Sequence, residues 1–372
     1  MAWPIVQINT LNLMQGPVNE VERHFLYVGL GTKNAGSLLS VNTQSDFSAL
    51  LDDGSELKAN VEAAMLNAGQ NWTAGVYVLT APENWVEAVK TAQQTQSFEA
   101  VVLTAPTTDK ATVTAAQALY HELIAKYGRW TFMMLATPGI DKKTQTWSEY
   151  EAATVAIQDT IAADGVMLVP QIFPDAIGKL AGRLCNRAAS IADTPMRIKT
   201  GPLVGDVTLP VDSAGAELTT ATLQTLESNR FSVPAWFPDY DGIFWADGRL
   251  LDAEGGDYQV IEYRRIIDKV ARRIRLIAIS DIGDRSFNST PASTARAQNR
   301  YCRPLREMAK SATVGEMVFP GEIETPSSDD ITIMWENKNS VGIYMAAQPK
   351  DCPKKITANL MLDLSNPGTN NV

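Results

Sequence analysis

Two histidines, three cysteines and a few paired acids are the residues of this 372-residue chain whose types could do chemistry. His121-Glu122 lacks the second histidine, four residues on, that would let one helix face hold zinc beside a general base. His24 stands alone, so a metal site would have to use oxygen ligands throughout, and no calcium-loop spacing is present. Val28-Gly-Leu-Gly-Thr-Lys-Asn-Ala-Gly36 is Gly-rich after an apolar run, but its G-x-G-x-x-x-x-G spacing is not the dinucleotide fingerprint. Read from Gly31 to Gly36-Ser37 it lacks the phosphate-binding lysine, which leaves a flexible turn. No G-x-S-x-G elbow supports a serine hydrolase. Asp52-Asp53 and Asp329-Asp330 lie in turn-like contexts and read as turn residues. The sequence thus proposes no catalytic, metal or cofactor-binding residue.

The strongest chemical signal is basic. Tyr258–Ile277 carries Arg264, Arg265, Lys269, Arg272, Arg273 and Arg275 against Glu262 and Asp268 only, in a chain of net charge −10. Val260, Tyr263, Ile267, Val270, Ile274 and Ile277 follow helical spacing and predict an apolar stripe, with the basic residues on the opposite side. Two readings stand: a solvated basic face answered by acidic patches elsewhere in the chain, or a surface that meets an acidic partner. Residues 258–310 hold 12 Lys and Arg against 5 Asp and Glu, a net +7, so the remainder carries −17.

The elements that would position these residues fall into two patterns. Phe25–Gly29, Val76–Leu79, Ala100–Leu103, Phe132–Ala136 and Val166–Val169 are short apolar runs of buried-strand type. Helical stretches Ser55–Asn67, Glu83–Gln93, Ala111–Tyr127, Ser148–Ala163 and Asp175–Ser190 follow or separate them. That alternation predicts a mostly parallel sheet with helices on its faces over residues 21–195. A proline-rich connection over 196–240 holds one helix, Leu218–Ser228. Next come the basic helix and a second helix over Ala292–Ser311, which Pro304 should kink or divide. Gly315–Ile323, Ile331–Glu336 and Val341–Ala346 read as strands, with a hairpin turn at Asn337–Ser340.

Lys355–Leu364 alternates with a period of two, Ile356, Ala358, Leu360, Leu362 and Leu364 sharing one face. It either completes the chain's own sheet or is an arm that pairs with a neighbour's open edge. Pro4–Leu13, with Ile5, Val6, Ile8 and Leu11, is similarly extended and apolar. The expected fold is an α/β domain with a mostly parallel sheet, followed by an α+β C-terminal domain (241–353) with antiparallel strands, and extended terminal arms (1–20 and 354–372).

Composition sets limits. With 45% hydrophobic and 20% charged residues the chain reads as globular. The acidic balance argues against broad nucleic-acid binding. Cys185, Cys302 and Cys352 are odd in number and far apart, which suits a reducing compartment. The start, Met-Ala-Trp-Pro-Ile-Val, shows no secretory signal, and no apolar run approaches bilayer length.

Leu218–Ile274 resembles the contractile tail sheath proteins of bacteriophages and related injection systems. A helix ending in Asn229 is followed by Gly242-Ile-Phe-Trp245-Ala-Asp-Gly-Arg249, then by Tyr258-Gln-Val-Ile-Glu-Tyr-Arg264-Arg265 at the head of a long helix. Leu39–Phe47 is similar to the family's aspartate-phenylalanine helix start, and Gly75–Leu79 to its following strand. Ala246 stands where the family usually has glycine, and Leu250 where threonine is common. These departures and the modest length mark a short, divergent member. The resemblance implies a structural subunit, not an enzyme, forming stacked hexameric rings around a tail tube and contracting to drive the tube through the host envelope. It implies as partners other copies of itself, the tail tube protein, and baseplate and tail terminator proteins, with no nucleic acid and no membrane insertion. It implies a place in the virion tail, after assembly in the bacterial cytoplasm. Within it the terminal segments become inter-subunit arms, and Arg285, Arg296, Arg300, Arg303, Arg306 and Lys310 become candidates to face an acidic tube. The rival expectation is a soluble α/β enzyme or nucleotide-binding module. A membrane-surface helix fits poorly, because the apolar stripe lacks Trp and Phe.

Overall fold

A computed structural model describes residues 21–314 and 317–362. Ile5, Val6, Ile8, Leu11 and Leu364 lie outside the described residues. The first half builds a six-stranded sheet from β1 (Phe25–Leu30), β2 (Leu38–Asn42), β3 (Thr73–Leu79), β4 (Ala100–Leu103), β5 (Phe132–Thr137) and β6 (Val166–Pro170), in the order β2-β3-β1-β4-β5-β6. All pairings are parallel except β2 with β3. The strands β4, β5 and β6 are buried at every residue, which is why they read as unbroken apolar runs. The sequence reading missed β2. It is a short, partly exposed edge strand, and an edge needs only a weak apolar signal.

Helices cover both faces: α1 (Phe47–Leu50), α2 (Glu56–Ala68), α3 (Trp85–Thr95), α4 (Lys110–Glu122), α5 (Trp147–Ala156) and α6 (Ala176–Cys185). Local chemistry sets their starts. Asp46, Ser55 and Asp109 each accept a backbone N–H of the first turn, and Thr146 with Glu149 forms a reciprocal cap. After α4 the chain continues through a single π-helical turn, Leu123–Tyr127, and stops at Gly128, whose φ of 59° is left-handed. The helix α5 ends seven residues before the expected Ala163, because Ala163 is drawn into a bridge with Leu251.

The connection then closes the far edge of the sheet. Its elements are α7 (Thr220–Ser228) and a hairpin of β7 (Pro234–Phe237) with β8 (Tyr240–Trp245). Phe231 bridges Leu168 of β6, and Leu251 N donates to Val166 O at 3.0 Å. Arg183 organises the prolines: its guanidinium donates to the carbonyls of Pro195, Arg197 and Gly201 at 2.6–2.7 Å. Burial lowers its pKa to about 10.

The first hydrophobic core runs from Phe25 to Ile261 and the second starts at Ile266. Both therefore meet on α8 (Ile261–Asp281). The second core packs α8 against α9 (Pro291–Met308) and the antiparallel pair of β11 (Ile331–Asn337) with β12 (Ser340–Met345), and between α9 and β11 lies a second antiparallel pair, β9 (Ala312–Val314) with β10 (Met317–Phe319). Pro304 does not divide α9. It sits buried on the core-facing side with Ala297, Tyr301, Leu305 and Met308, and the helix continues to Met308.

The tightest helix contact is α2 on α6. A Cβ on Gly178 or Gly182 would strike the carbonyl oxygen of Asn60 or Ala64, and Gly178 N donates to Asn60 Oδ1 at 2.9 Å. Gly178→Ala should destabilise the chain by about 1–3 kcal/mol through overpacking, read as a lower urea midpoint at unchanged m-value.

Candidate functional site

The residues that could do chemistry are occupied structurally. His24 is half-buried and stacked on Phe98 at 5.0 Å, and burial lowers its pKa. His121 lies exposed beside Gln117. Asp52 accepts from Thr32 Oγ1 at 2.8 Å and from the Lys33 amide at 3.3 Å, so it clamps the Gly31–Gly36 turn. Asp330 accepts from Ser327 N at 2.7 Å, within a turn. Among the described residues no cluster of His, Cys, Asp and Glu could hold a metal, and no helix is long and apolar enough to cross a membrane.

The basic helix behaves differently from both readings of its sequence. Tyr263 is 38% exposed, whereas Arg264, Arg265 and Lys269 are buried, Arg272 is half-buried and Arg275 is exposed. The expected apolar stripe survives in Val270, Ile274 and the partly buried Ile277, which with Ile266 face the second core. The part of the basic face that carries Arg264, Arg265 and Arg272 is neither solvated nor open to a partner, because it lies on the first domain. Arg265 makes a bidentate pair with Glu99, at 2.7 and 2.9 Å, and donates to Leu184 O at 3.1 Å. Both side chains are 1% exposed. Arg264 contacts Asp268 at 2.8 Å and Asp164 at 3.1 Å, with its guanidinium 4.2 Å from the Tyr258 ring centre. Arg272 donates to Glu22 at 2.7 Å and to Trp130 O at 3.0 Å, and Lys269 pairs with Glu322 at 2.7 Å.

The family-motif residues converge on this joint. Trp245 is buried in the first core, Arg249 lies 3.6 Å from Glu227, and the Arg249 backbone bridges Val260 at the start of α8. Tyr258 supports Arg264 from one side and Tyr120 from another. The sequence reading missed the acidic half: Glu22, Glu99, Asp164 and Glu322. Glu99 carried a readable signal, since a lone charge heads the apolar run Ala100–Leu103. Asp268, four residues after Arg264, carried another.

Two surfaces remain open. Arg285, Arg296, Arg300, Arg303, Arg306 and Lys310 are all exposed, on α9 or beside it. Arg300 is also tied to the buried Asp281 at 2.5 Å and stacks near Phe287, and Arg303 pairs with Glu307 at 3.2 Å. The second surface is the C-terminal segment. Lys355–Leu362 forms no strand, and Ile356, Leu360 and Leu362 are 82%, 96% and 82% exposed. Ala358 is exposed as well. The described part of this segment therefore does not complete the chain's own sheet.

Comparison with known proteins gives a consistent picture. The chain matches the two parts of one family, "DUF2586, N-terminal domain" over residues 3–249 and "DUF2586, C-terminal domain" over residues 257–365. The gap between them falls just before α8. A relative named "Putative tail sheath protein", from Haemophilus phage HP1 (strain HP1c1), is 51% identical over 98% of this chain and 100% of its own length. The fold is similar to the sheath of the extracellular contractile injection system PVC in its contracted state, with TM-score 0.64, 13% identity and 98% of both chains covered. It is also similar to the helical sheath of the anti-feeding prophage in its contracted state, with TM-score 0.61, 14% identity and 96% and 98% covered.

The joint makes two predictions. Arg265→Met leaves Glu99 buried without its cation and should cost about 3–5 kcal/mol, measured by denaturant unfolding of the unassembled chain. Asp268 is raised by burial to about 6, against the pull of Arg264, and its Oδ2 lacks a partner among the described residues. Its folded pKa lies above its ordinary value, so this group's contribution is complete below about pH 4 and is lost as pH rises through 6. The stability difference between wild type and Asp268→Asn should fall across that window and level off above pH 7.

Proposed function

The chain belongs to the DUF2586 family and to the contractile tail sheath proteins, and on that premise we propose that it polymerises as stacked hexameric rings around a tail tube, linked through its terminal segments. Contraction of that polymer would drive the tube through the host cell envelope. The polymer would assemble in the bacterial cytoplasm and reside in the virion tail, capped by baseplate and tail terminator proteins. Its role is structural, not catalytic.

One observation carries the linkage: a segment whose alternate apolar side chains stand in solvent. An extended segment of this kind gains most by adding to an open sheet edge, where backbone hydrogen bonds supply affinity and alternate side chains supply register. The pair β11–β12 offers such edges, as a two-stranded sheet with no third strand among the described residues. Two strands alone are marginal, and one donated by a neighbour would complete a stable unit. Ile356, Ala358, Leu360, Leu362 and Leu364 would make this contact, with Ile5, Val6, Ile8 and Leu11 as the counterpart at the other end. Each copy would give one contact and receive another, a heterologous arrangement that closes rings or extends helices.

The exposed basic residues of α9 and its approach support a weak electrostatic hold on an acidic tube, screened by salt. Among the described residues Arg285, Arg296, Arg303, Arg306 and Lys310 pair with no buried acid, whereas Arg300 has a second duty toward Asp281. A chain ending at Lys355 should stay soluble and folded but form no tubes by negative-stain microscopy, and normal polymers would sink the arm reading. Arg296→Glu with Arg306→Glu should leave empty polymers intact while cutting tube-filled ones about tenfold at low salt. Equal tube co-assembly would place the attachment elsewhere.

A further inference from the structure

The C-terminal segment leaves the body at one side chain. Up to residue 350 the backbone holds it: Glu324 N donates to Gln348 O at 2.8 Å, and Lys350 N to Glu322 O at 3.4 Å. Asp351, Cys352 and Pro353 are exposed and carry no hydrogen bond to the described residues. Lys354 then reaches back into the protein. Its Nζ lies 2.8 and 2.7 Å from the two carboxylate oxygens of Asp247 and 2.6 Å from Glu262 Oε1. From Lys355 to Leu362 every residue is exposed.

The two acids are not surface partners. Their side chains are 10% and 3% exposed, against 28% for Lys354. Asp247 follows β8 and also accepts from Thr194 Oγ1 at 3.1 Å and Gly248 N at 3.0 Å. Glu262 stands on the first turn of α8, and Lys354 is the cation whose ammonium reaches its carboxylate among the described residues. Burial pushes the Glu262 carboxyl up, Lys354 pulls it back, and Asp247 adds to the push. Two buried carboxylates facing each other need a cation. Among the described residues only Lys354, on the outgoing strap, supplies one. A cavity of about 380 Å³, lined in part by Arg249, Tyr263 and Cys352, lies between the strap and the start of α8, so packing does not hold the strap there.

We propose that Lys354 is the positioning residue that fixes where the C-terminal arm begins: shared by Asp247 and Glu262, it bolts the strap to the junction of the two cores. This rests on the reading of the segment beyond it as an arm. Pull on the arm is then delivered to the end of β8 and the start of α8 together, not to the stretch at Glu322 between β10 and β11. Without the bolt the last tie is Lys350. The arm gains four residues, roughly 14 Å of extended chain, and slack beyond the span to a neighbour weakens the linkage.

Cys352 supplies the test, because it is exposed between the two ties while Cys185 and Cys302 are buried. A nitroxide on Cys352 of the full-length, unpolymerised chain should be restrained in wild type and in Lys354→Arg. In Lys354→Met its rotational correlation time should shorten by about threefold or more. Should that variant unfold around its two stranded acids, Lys354→Met with Asp247→Asn and Glu262→Gln removes all three charges and should show the same freed label. Unchanged mobility in the folded variants overturns the bolt. Because the label is read without polymer, its answer is independent of the Lys355 truncation, which retains Lys354 and decides the arm reading separately.

Discussion

The pair between Arg265 and Glu99 is the constraint on which the two halves of the molecule depend. A buried ion pair gains little net stability over well-packed apolar residues, since desolvation offsets most of the attraction. Its value is geometric. A bidentate fork admits one orientation, and a misplaced α8 would leave a carboxylate and a guanidinium without partners in a dry interior. The same holds for Arg264 between Asp164 and Asp268, and for Arg272 on Glu22. Together these contacts set the helix at one register on the first domain.

The location of that contact bears on function. Glu22, Glu99, Trp130 and Asp164 immediately precede β1, β4, β5 and β6, so α8 runs along the amino-terminal edge of the parallel sheet. Ligands of open α/β sheets usually sit at the opposite, carboxyl edge. There the chain has a clamped turn at Gly31–Gly36 and no metal cluster among the described residues. The α/β frame supports a joint along its amino-terminal edge, and a fold by itself does not imply chemistry. One helix shared by two cores also means that a load on the second unit reaches the first through ionic contacts.

The first domain was largely legible because its strands are buried on both faces and leave unbroken apolar runs such as Phe132–Ala136 and Val166–Val169. The hairpin β11–β12 was legible from alternation and from the Asn337–Ser340 turn. Lost were elements whose signal depends on distant chain: the edge strand β2, the early end of α5, and the uninterrupted passage of α9 through Pro304. The largest reversal was α8. Six basic residues on one helix read locally as a wet face, and apart from Asp268 nothing within the helix tells that Glu22, Glu99, Asp164 and Glu322 will be brought against Arg264, Arg265, Lys269 and Arg272.

The sequence by itself determined the parallel sheet, the helical period of Tyr258–Ile277, the run of motif residues from Trp245 to Arg265 and the period-two pattern of the last strand-like segment. These follow from local spacing, which is set by backbone geometry and survives in a linear string. Tertiary structure alone decided which face of α8 is buried, which acid answers each arginine, and where the outgoing chain is tied. Those depend on desolvation and charge pairing between residues up to 250 positions apart, as for Glu22 with Arg272, and such pairing exists only once the chain is folded.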